Sequence, residues 1–184
     1  LPDGEEAVNI DSFYNKHGKS FLVTNNAALI RALRAYPDAR TYAIVPDIAQ
    51  YVREMAQGGA AAMAVKKAKA LGPVNLLKLG LPALLGIRQM LKKDMRTVLP
   101  LLVKADYFML KKIRPRILFL HYQMTDMALA NGNKELLHAY LSAPLRKKVT
   151  LGLMTKNLSL LVQKLREWDI SSKAILAPFN CRGF

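Results

Sequence analysis

The segment Ile117–Asp126 reads ILFLHYQMTD and places four apolar residues directly before a mostly polar run. An apolar run of this length, bounded by polar residues, is typical of a buried β-strand. Neither Gly nor Pro separates the run from His121, so the imidazole follows the strand without a turn. We interpret Ile117–Tyr122 as a central buried strand whose polar end contributes to a ligand site.

Four other segments share this continuous apolar character, which is expected in a parallel sheet covered by helices on both faces. They are Ser20–Thr24, Thr41–Val45, Val149–Thr155 and Lys173–Phe179. Helical patterns lie between the strands, over Asn26–Tyr36, Ile48–Gln57, Lys134–Lys148 and Leu158–Trp168. Alternation of strand and helix with short joints predicts βαβ units and therefore an α/β fold.

The sheet has two possible closures. An open doubly wound parallel sheet is complete with five strands, whereas a (β/α)8 barrel needs further strand–helix units. The chain begins at Leu1 rather than Met and ends on the strand-like text APFNCRGF, which favours a fragment truncated at its C-terminus. We therefore expect part or all of a (β/α)8-type barrel, with the open doubly wound sheet as the alternative.

Residues 58–116 interrupt the alternation with helical text that has no convincing strand. Pro73, Pro82 and Pro100 lie within it and predict several short helices rather than one long one. The expected organisation is therefore two βα units over residues 1–57, a basic all-helical insertion over 58–116, and further βα units of the same domain over 117–184.

Positive charge is concentrated in this insertion. The 184-residue chain has a formal net charge of +15, and the insertion alone holds thirteen Lys and Arg against two Asp, a net +11. Such an excess predicts an anionic partner. The residues that we assign to an anion-binding surface are Lys66, Lys67, Lys69, Arg88, Lys92, Lys93, Lys111 and Lys112.

The partner of the insertion has several possible identities. Its longest uncharged apolar run, Leu79–Ile87, has nine residues, and a bilayer span requires roughly 20. Leucines edged by Lys and Arg are typical of a helix in the membrane interface, but they are more often found in a helix half-buried against its own domain. Nucleic acid is less favoured, because the insertion offers only Tyr107 and Phe108 for base stacking.

The cellular location is expected to be the cytoplasm, with peripheral contact to a membrane as an extension of that prediction. The first residues have neither the basic start nor the apolar core of a signal peptide. The single cysteine, Cys181, excludes an internal disulfide framework.

Candidate site residues follow the predicted strands, because ligands of parallel α/β folds bind beyond the carboxyl ends of the strands. We assign His121 to acid–base catalysis and Lys156 to an electrophilic or anion-binding role. Asp47 or Asp126 would orient the catalytic groups. The residues that we assign to substrate binding are Asn25, Gln123, Asn157, Asn180 and Arg182.

Each assignment has a simpler structural alternative. Asn26, Asp47 and Asn157 are of the residue types that commonly cap helix N-termini. His121 is equally compatible with a satisfied core residue, and Lys156 with a side chain that extends into water. The three histidines are far apart in sequence, so no metal site is predicted. The sequence indicates neither a cofactor nor an oligomeric state.

We consider two functions from different classes, of which the first is favoured and the second is the alternative. The first is an enzyme acting on a small anionic metabolite, with aldolase-like or lyase-like carbonyl or proton-transfer chemistry at the strand ends. The second is a non-catalytic, membrane-peripheral or anion-binding protein that acts through the basic helical insertion.

Overall fold

The computed structural model describes residues 10, 14, 18–48, 53, 56–59, 95–145 and 149–178. The strands within these residues are β1 (Ser20–Val23), β2 (Arg40–Val45), β3 (Ile117–Leu120), β4 (Thr150–Met154) and β5 (Ile175–Leu176). The helices are α1 (Ala27–Leu33), α2 (Met95–Leu110), α3 (Tyr122–Ala130), α4 (Lys134–Leu141) and α5 (Leu158–Glu167), with a 3₁₀ turn at Lys111–Ile113. The predicted α/β class is confirmed, and each predicted strand begins and ends within two residues of an observed one except at the C-terminal end of the fifth.

The five described strands form one parallel sheet in the order β1-β2-β3-β4-β5, curled into a half-barrel. A doubly wound sheet reverses its strand order at a switch point, and these strands do not. The open doubly wound alternative is therefore wrong for the described strands. Because right-handed crossovers between successive neighbours place their helices on one side, the helices cover the outer face of the curl.

Burial along the first two strands reflects this one-sided cover. In β1, Phe21 and Val23 are buried, whereas Leu22 between them is 49% exposed. In β2, Thr41, Ala43 and Val45 are buried, whereas the alternate residues Tyr42 and Ile44 are only partly buried. Among the described residues, β1 and β2 are thus covered mainly on one face, whereas the sequence predicts helices on both faces.

Three helices begin at an asparagine cap. The side-chain oxygens of Asn26, Asn133 and Asn157 accept hydrogen bonds from the backbone N–H three residues later, at 3.0, 3.2 and 3.1 Å. Each bond satisfies one N–H that lacks an intrahelical partner. The capping interpretation of Asn26 and Asn157 is confirmed.

Helix α3 was not expected from the sequence. The strand β3 ends at Leu120, and α3 begins at Tyr122, directly after His121. Its buried residues Met124, Ala128 and Leu129 form a stripe at helical spacing. The stretch interpreted as the polar end of a strand is thus the first two turns of a helix.

The basic region differs from the prediction where it is described. Pro100 lies inside the 16-residue helix α2, so the expected interruption there is wrong; a proline removes one intrahelical hydrogen bond, and the helix continues past it. Because α2 connects β2 to β3, it is the crossover helix of that βαβ unit. Residues 60–94, with Pro73 and Pro82, and most of the predicted helix Ile48–Gln57 lie outside the described residues. Among the helices that are described, none has the length and apolar character needed to cross a membrane.

Candidate functional site

The site lies where β2, β3 and β4 end side by side. Val45 pairs with Leu120, and Leu120 pairs with Leu153, so the carboxyl ends of the three strands lie in register at the same end of the sheet. Adjacent strands lie about 4.8 Å apart. The residues that leave these ends, Asp47, His121 and Lys156, are therefore brought to one edge by the sheet.

His121 has a structural role in this arrangement. Its backbone N–H still donates to Val45 O at 2.8 Å, which continues the sheet by one residue. Its side chain caps α3, because Nδ1 accepts a hydrogen bond from the backbone N–H of Gln123 at 3.2 Å. Since Nδ1 accepts, the proton of the neutral ring is on Nε2, which is left to donate to a ligand.

The surroundings of His121 favour the neutral imidazole. Burial lowers the pKa of His121 below 6.5, the nearby carboxylate of Asp47 opposes that shift, and the ammonium group of Lys156 adds to it. A cation at a helix N-terminus is also unfavourable, because the helix dipole is positive there. The charges of Asp47 and Lys156 thus both act on one imidazole from the two neighbouring strands.

Lys156 lies against an aromatic ring that sequence analysis did not assign. Its ammonium nitrogen is 4.3 Å from the centroid of the Tyr122 ring. The same tyrosine stacks on His121, with ring centroids 4.6 Å apart. A cation over a ring face is stabilised by the ring quadrupole, so Tyr122 holds the lysine cation next to the imidazole.

Asp126 fixes the segment that carries Lys156. One of its carboxylate oxygens accepts a hydrogen bond from Thr155 Oγ1 at 2.5 Å, and the other accepts one from the backbone N–H of Lys156 at 3.1 Å. Thr155 is fully buried and in turn accepts from the backbone N–H of Asn157. Asp126 therefore orients the end of β4, whereas the sequence analysis assigned it to the orientation of His121.

A buried carboxylate on α2 organises the other side of the site. Asp106 has no exposed surface. Its Oδ1 accepts a hydrogen bond from Asn25 Nδ2 at 2.9 Å, and its Oδ2 accepts one from the backbone N–H of Asp47 at 3.1 Å. The sequence alone gives Asp106 no role beyond its negative charge. The signal that pointed to it is a lone acid in the apolar helix text LLVKADYFML, because a carboxylate on a buried helix needs partners.

The predicted site residues fall into three groups in the structure. Asp47, His121 and Lys156 come together, and Asn25 lies next to them through its bond to Asp106. Asn157 is occupied as the cap of α5, and the side chain of Gln123 is exposed in the first turn of α3. Asn180 and Arg182 lie outside the described residues, as do Lys66, Lys67, Lys69, Arg88, Lys92 and Lys93 of the predicted anion-binding surface.

The chemistry of this cluster is that of acids, bases and cations. In the part of the chain that the structure describes, no three His, Cys, Asp or Glu side chains are grouped as metal ligands. No protein-family model matches the chain, and neither a curated protein nor a solved structure shows significant similarity to it. The function is therefore inferred from the geometry of this one strand-end cluster.

Proposed function

We propose that this chain is a (β/α)8-type enzyme that acts on a small anionic carbonyl metabolite by lyase-like proton-transfer chemistry. The observation that carries the proposal is that the register of β2, β3 and β4 brings Asp47, His121 and Lys156 to one end of the sheet, where Tyr122 contacts both His121 and Lys156. A carboxylate, a neutral imidazole and an ammonium group on adjacent strand ends are the groups that deprotonation next to a carbonyl requires.

The proposed role of each residue follows from the chemistry of its side chain. The carboxylate of Asp47 accepts the proton from the carbon next to the carbonyl, and the electron pair of that C–H bond moves into the C–C bond. The carbonyl π electrons move onto oxygen, where Nε2–H of His121 donates a hydrogen bond to the enolate. A neutral imidazole at a helix N-terminus suits this task, because it donates without adding a cation that the helix dipole opposes.

Lys156 is assigned to the anionic end of the substrate. Its ammonium group lies over the Tyr122 ring, a contact that stabilises the charged form. A charged lysine attracts a carboxylate or a phosphate, whereas the formation of a Schiff base requires the neutral amine. The contact therefore supports anion binding over covalent catalysis by this lysine.

The proposal is tested by the exchange of substrate protons for deuterium in D2O, followed by ¹H NMR. The probes are small anionic carbonyl compounds, namely pyruvate, 2-oxoglutarate and dihydroxyacetone phosphate. We expect the wild-type protein to catalyse exchange in one of them, and Asp47→Asn and His121→Asn to lower the rate by about 100-fold or more. The asparagine at position 121 keeps a side-chain acceptor for the cap of α3.

The anion-binding role of Lys156 is tested with Lys156→Met, and Lys173→Met is its matched control. Both remove one exposed ammonium group, but Lys173 precedes β5 and so lies toward the opposite edge of the sheet. We expect Lys156→Met to raise KM by about tenfold or more, and Lys173→Met to leave KM unchanged. Equal effects of the two substitutions, or exchange unaffected by Asp47→Asn and His121→Asn, would refute the proposed roles.

A further inference from the structure

The strands of the sheet begin at the end opposite the candidate site, and that end is lined by cations. All strands of a parallel sheet begin at the same edge, and here most of them begin beside Lys or Arg. Lys19 precedes β1, Arg40 is the first residue of β2, Arg116 precedes β3, and Lys173 lies two residues before β5. We call the exposed residues Arg40, Lys112, Arg114 and Arg116 the basic edge.

The central members of the basic edge lie next to each other through the sheet register. The backbone N–H of Arg116 donates to Thr41 O at 2.9 Å, and Thr41 directly follows Arg40. On the other side of β2, the backbone N–H of Arg40 donates to Lys19 O at 2.6 Å. Since neighbouring strands are about 4.8 Å apart, the backbones that carry these cations are spaced by single strands.

The acids near this edge do not neutralise it. Asp38 is engaged by Lys19, with Nζ and Oδ2 2.5 Å apart, and by the Tyr14 hydroxyl. Arg40, Arg114 and Arg116 form no ion pair in the described part of the chain. Neighbouring like charges at strand ends are unfavourable unless an anion lies between them. The fold therefore presents three exposed guanidinium groups that a polyanion would satisfy.

The backbone at Arg114 is a second, independent feature of this edge. Arg114 has φ 51° and ψ 56°, in the left-handed region. An L-residue other than Asn, Asp or Gly is strained in this region, because its Cβ lies too close to a backbone carbonyl oxygen. A strained arginine, rather than an asparagine or glycine, at the turn before β3 is consistent with a use for its side chain.

We infer that the basic edge binds the phosphate backbone of a nucleic acid. Arginine guanidinium groups match phosphate oxygens in a bidentate geometry, and a row of cations along strand ends fits a linear polyanion. The small number of aromatic residues is compatible with this inference, because binding to the phosphate backbone of a nucleic acid does not require base stacking. A membrane surface fits less well, since Ile113, the apolar residue in the same 3₁₀ turn as Lys111 and Lys112, is buried and does not face a bilayer.

The test measures the salt dependence of binding by fluorescence anisotropy of a labelled oligouridine. Neutralising two phosphate contacts should lower the slope of log K against log salt by about 1.4. The double variant Arg40→Gln/Arg116→Gln is therefore expected to bind about twentyfold more weakly than wild type at about 0.1 M salt. Its charge-matched control is Arg31→Gln/Lys134→Gln, two exposed cations on helices α1 and α4, which should keep the wild-type slope.

Three outcomes overturn the inference. They are an oligouridine that the wild-type protein does not bind, equal losses in the two double variants, and flotation with anionic phosphatidylserine vesicles without binding to the oligonucleotide. The variant Arg40→Lys/Arg116→Lys separates the loss of charge from misfolding. It keeps both positive charges, so its slope of log K against log salt should equal that of the wild type. Circular dichroism melting of all variants identifies any that are unfolded.

Discussion

His121 combines a structural and a chemical function in one side chain. Its Nδ1 completes the first turn of α3 by accepting from Gln123 N–H, so the ring orientation is fixed before a ligand arrives. Its Nε2–H is thereby left to donate, and burial with the Lys156 charge keeps the ring neutral. At the scale of single residues, the site is pre-organised by hydrogen bonds that also begin the next element.

The first prediction concerns the pH dependence of stability at this residue. Because the pKa of His121 is lower in the folded protein than the ordinary value of 6.5, the unfolded chain binds this proton more tightly. The free energy of unfolding should therefore fall as the pH falls through about 6.5, and level off above it. Urea denaturation at several pH values should show a smaller loss on acidification in His121→Asn than in wild type. Identical pH profiles would mean that His121 does not titrate differently in the two states.

At the scale of elements, the close packing of β3, β4 and β5 requires a glycine in β4. Gly152 in β4 pairs with Phe119 in β3. A Cβ built on Gly152 would lie 2.8 Å from Ala174 O and 2.9 Å from two ring atoms of Phe119. The glycine is thus required by close packing, because no heavier residue fits beneath that ring and beside that carbonyl.

The second prediction follows from this packing. Gly152→Ala should lower the free energy of unfolding by about 1–3 kcal/mol, since the neighbouring backbone carbonyl cannot move as a flexible side chain does. Thr150→Ala, two residues earlier in the same strand, is the control and should cost less. Chemical denaturation of the two variants measures the difference. A Gly152→Ala protein as stable as wild type would show that β5 shifts freely away from β4.

The sequence showed little of this element-level detail. The caps of α1 and α5 were predictable, because Asn followed by an apolar helical stripe is a local signal. Helix α3 was not, because the polar residues of its first turns resemble the end of a strand and its stripe of Met124, Ala128 and Leu129 is short. At Pro100 the sequence predicts a helix end that the structure does not have. The helix α2 continues past this residue, because its tertiary packing outweighs the local preference against proline.

At the scale of the whole molecule, Asp106 connects helix α2 to the end of the sheet that carries the candidate site. It lies on α2, yet its carboxylate holds the segments after β1 and β2 through Asn25 and the backbone of Asp47. Both ends of this connection are separated from Asp106 by more than fifty residues of sequence. The position of Asp47 relative to His121 therefore depends on a side chain from another layer.

The third prediction tests this connection. Asp106→Ala leaves two donors at a buried site without their acceptor and should lower the free energy of unfolding by about 2–3 kcal/mol. Asp38→Ala is the matched control, because it removes an exposed aspartate that is ion-paired with Lys19, and it should cost much less than Asp106→Ala. Urea denaturation compares the two. Equal costs would show that the buried carboxylate contributes no more than a surface one.

The sequence by itself determined the α/β class, the positions of the strands and the residues that leave their carboxyl ends, because periodicity, length and capping are local properties of the chain. The tertiary structure alone decided which of those residues meet. Strand order and parallel register place Asp47, His121 and Lys156 on one edge and the cations of the basic edge on the other, and they give Asp126 to Thr155 rather than to His121. The physical reason is that register and buried polar pairing join residues far apart in the chain, and no local pattern records those contacts.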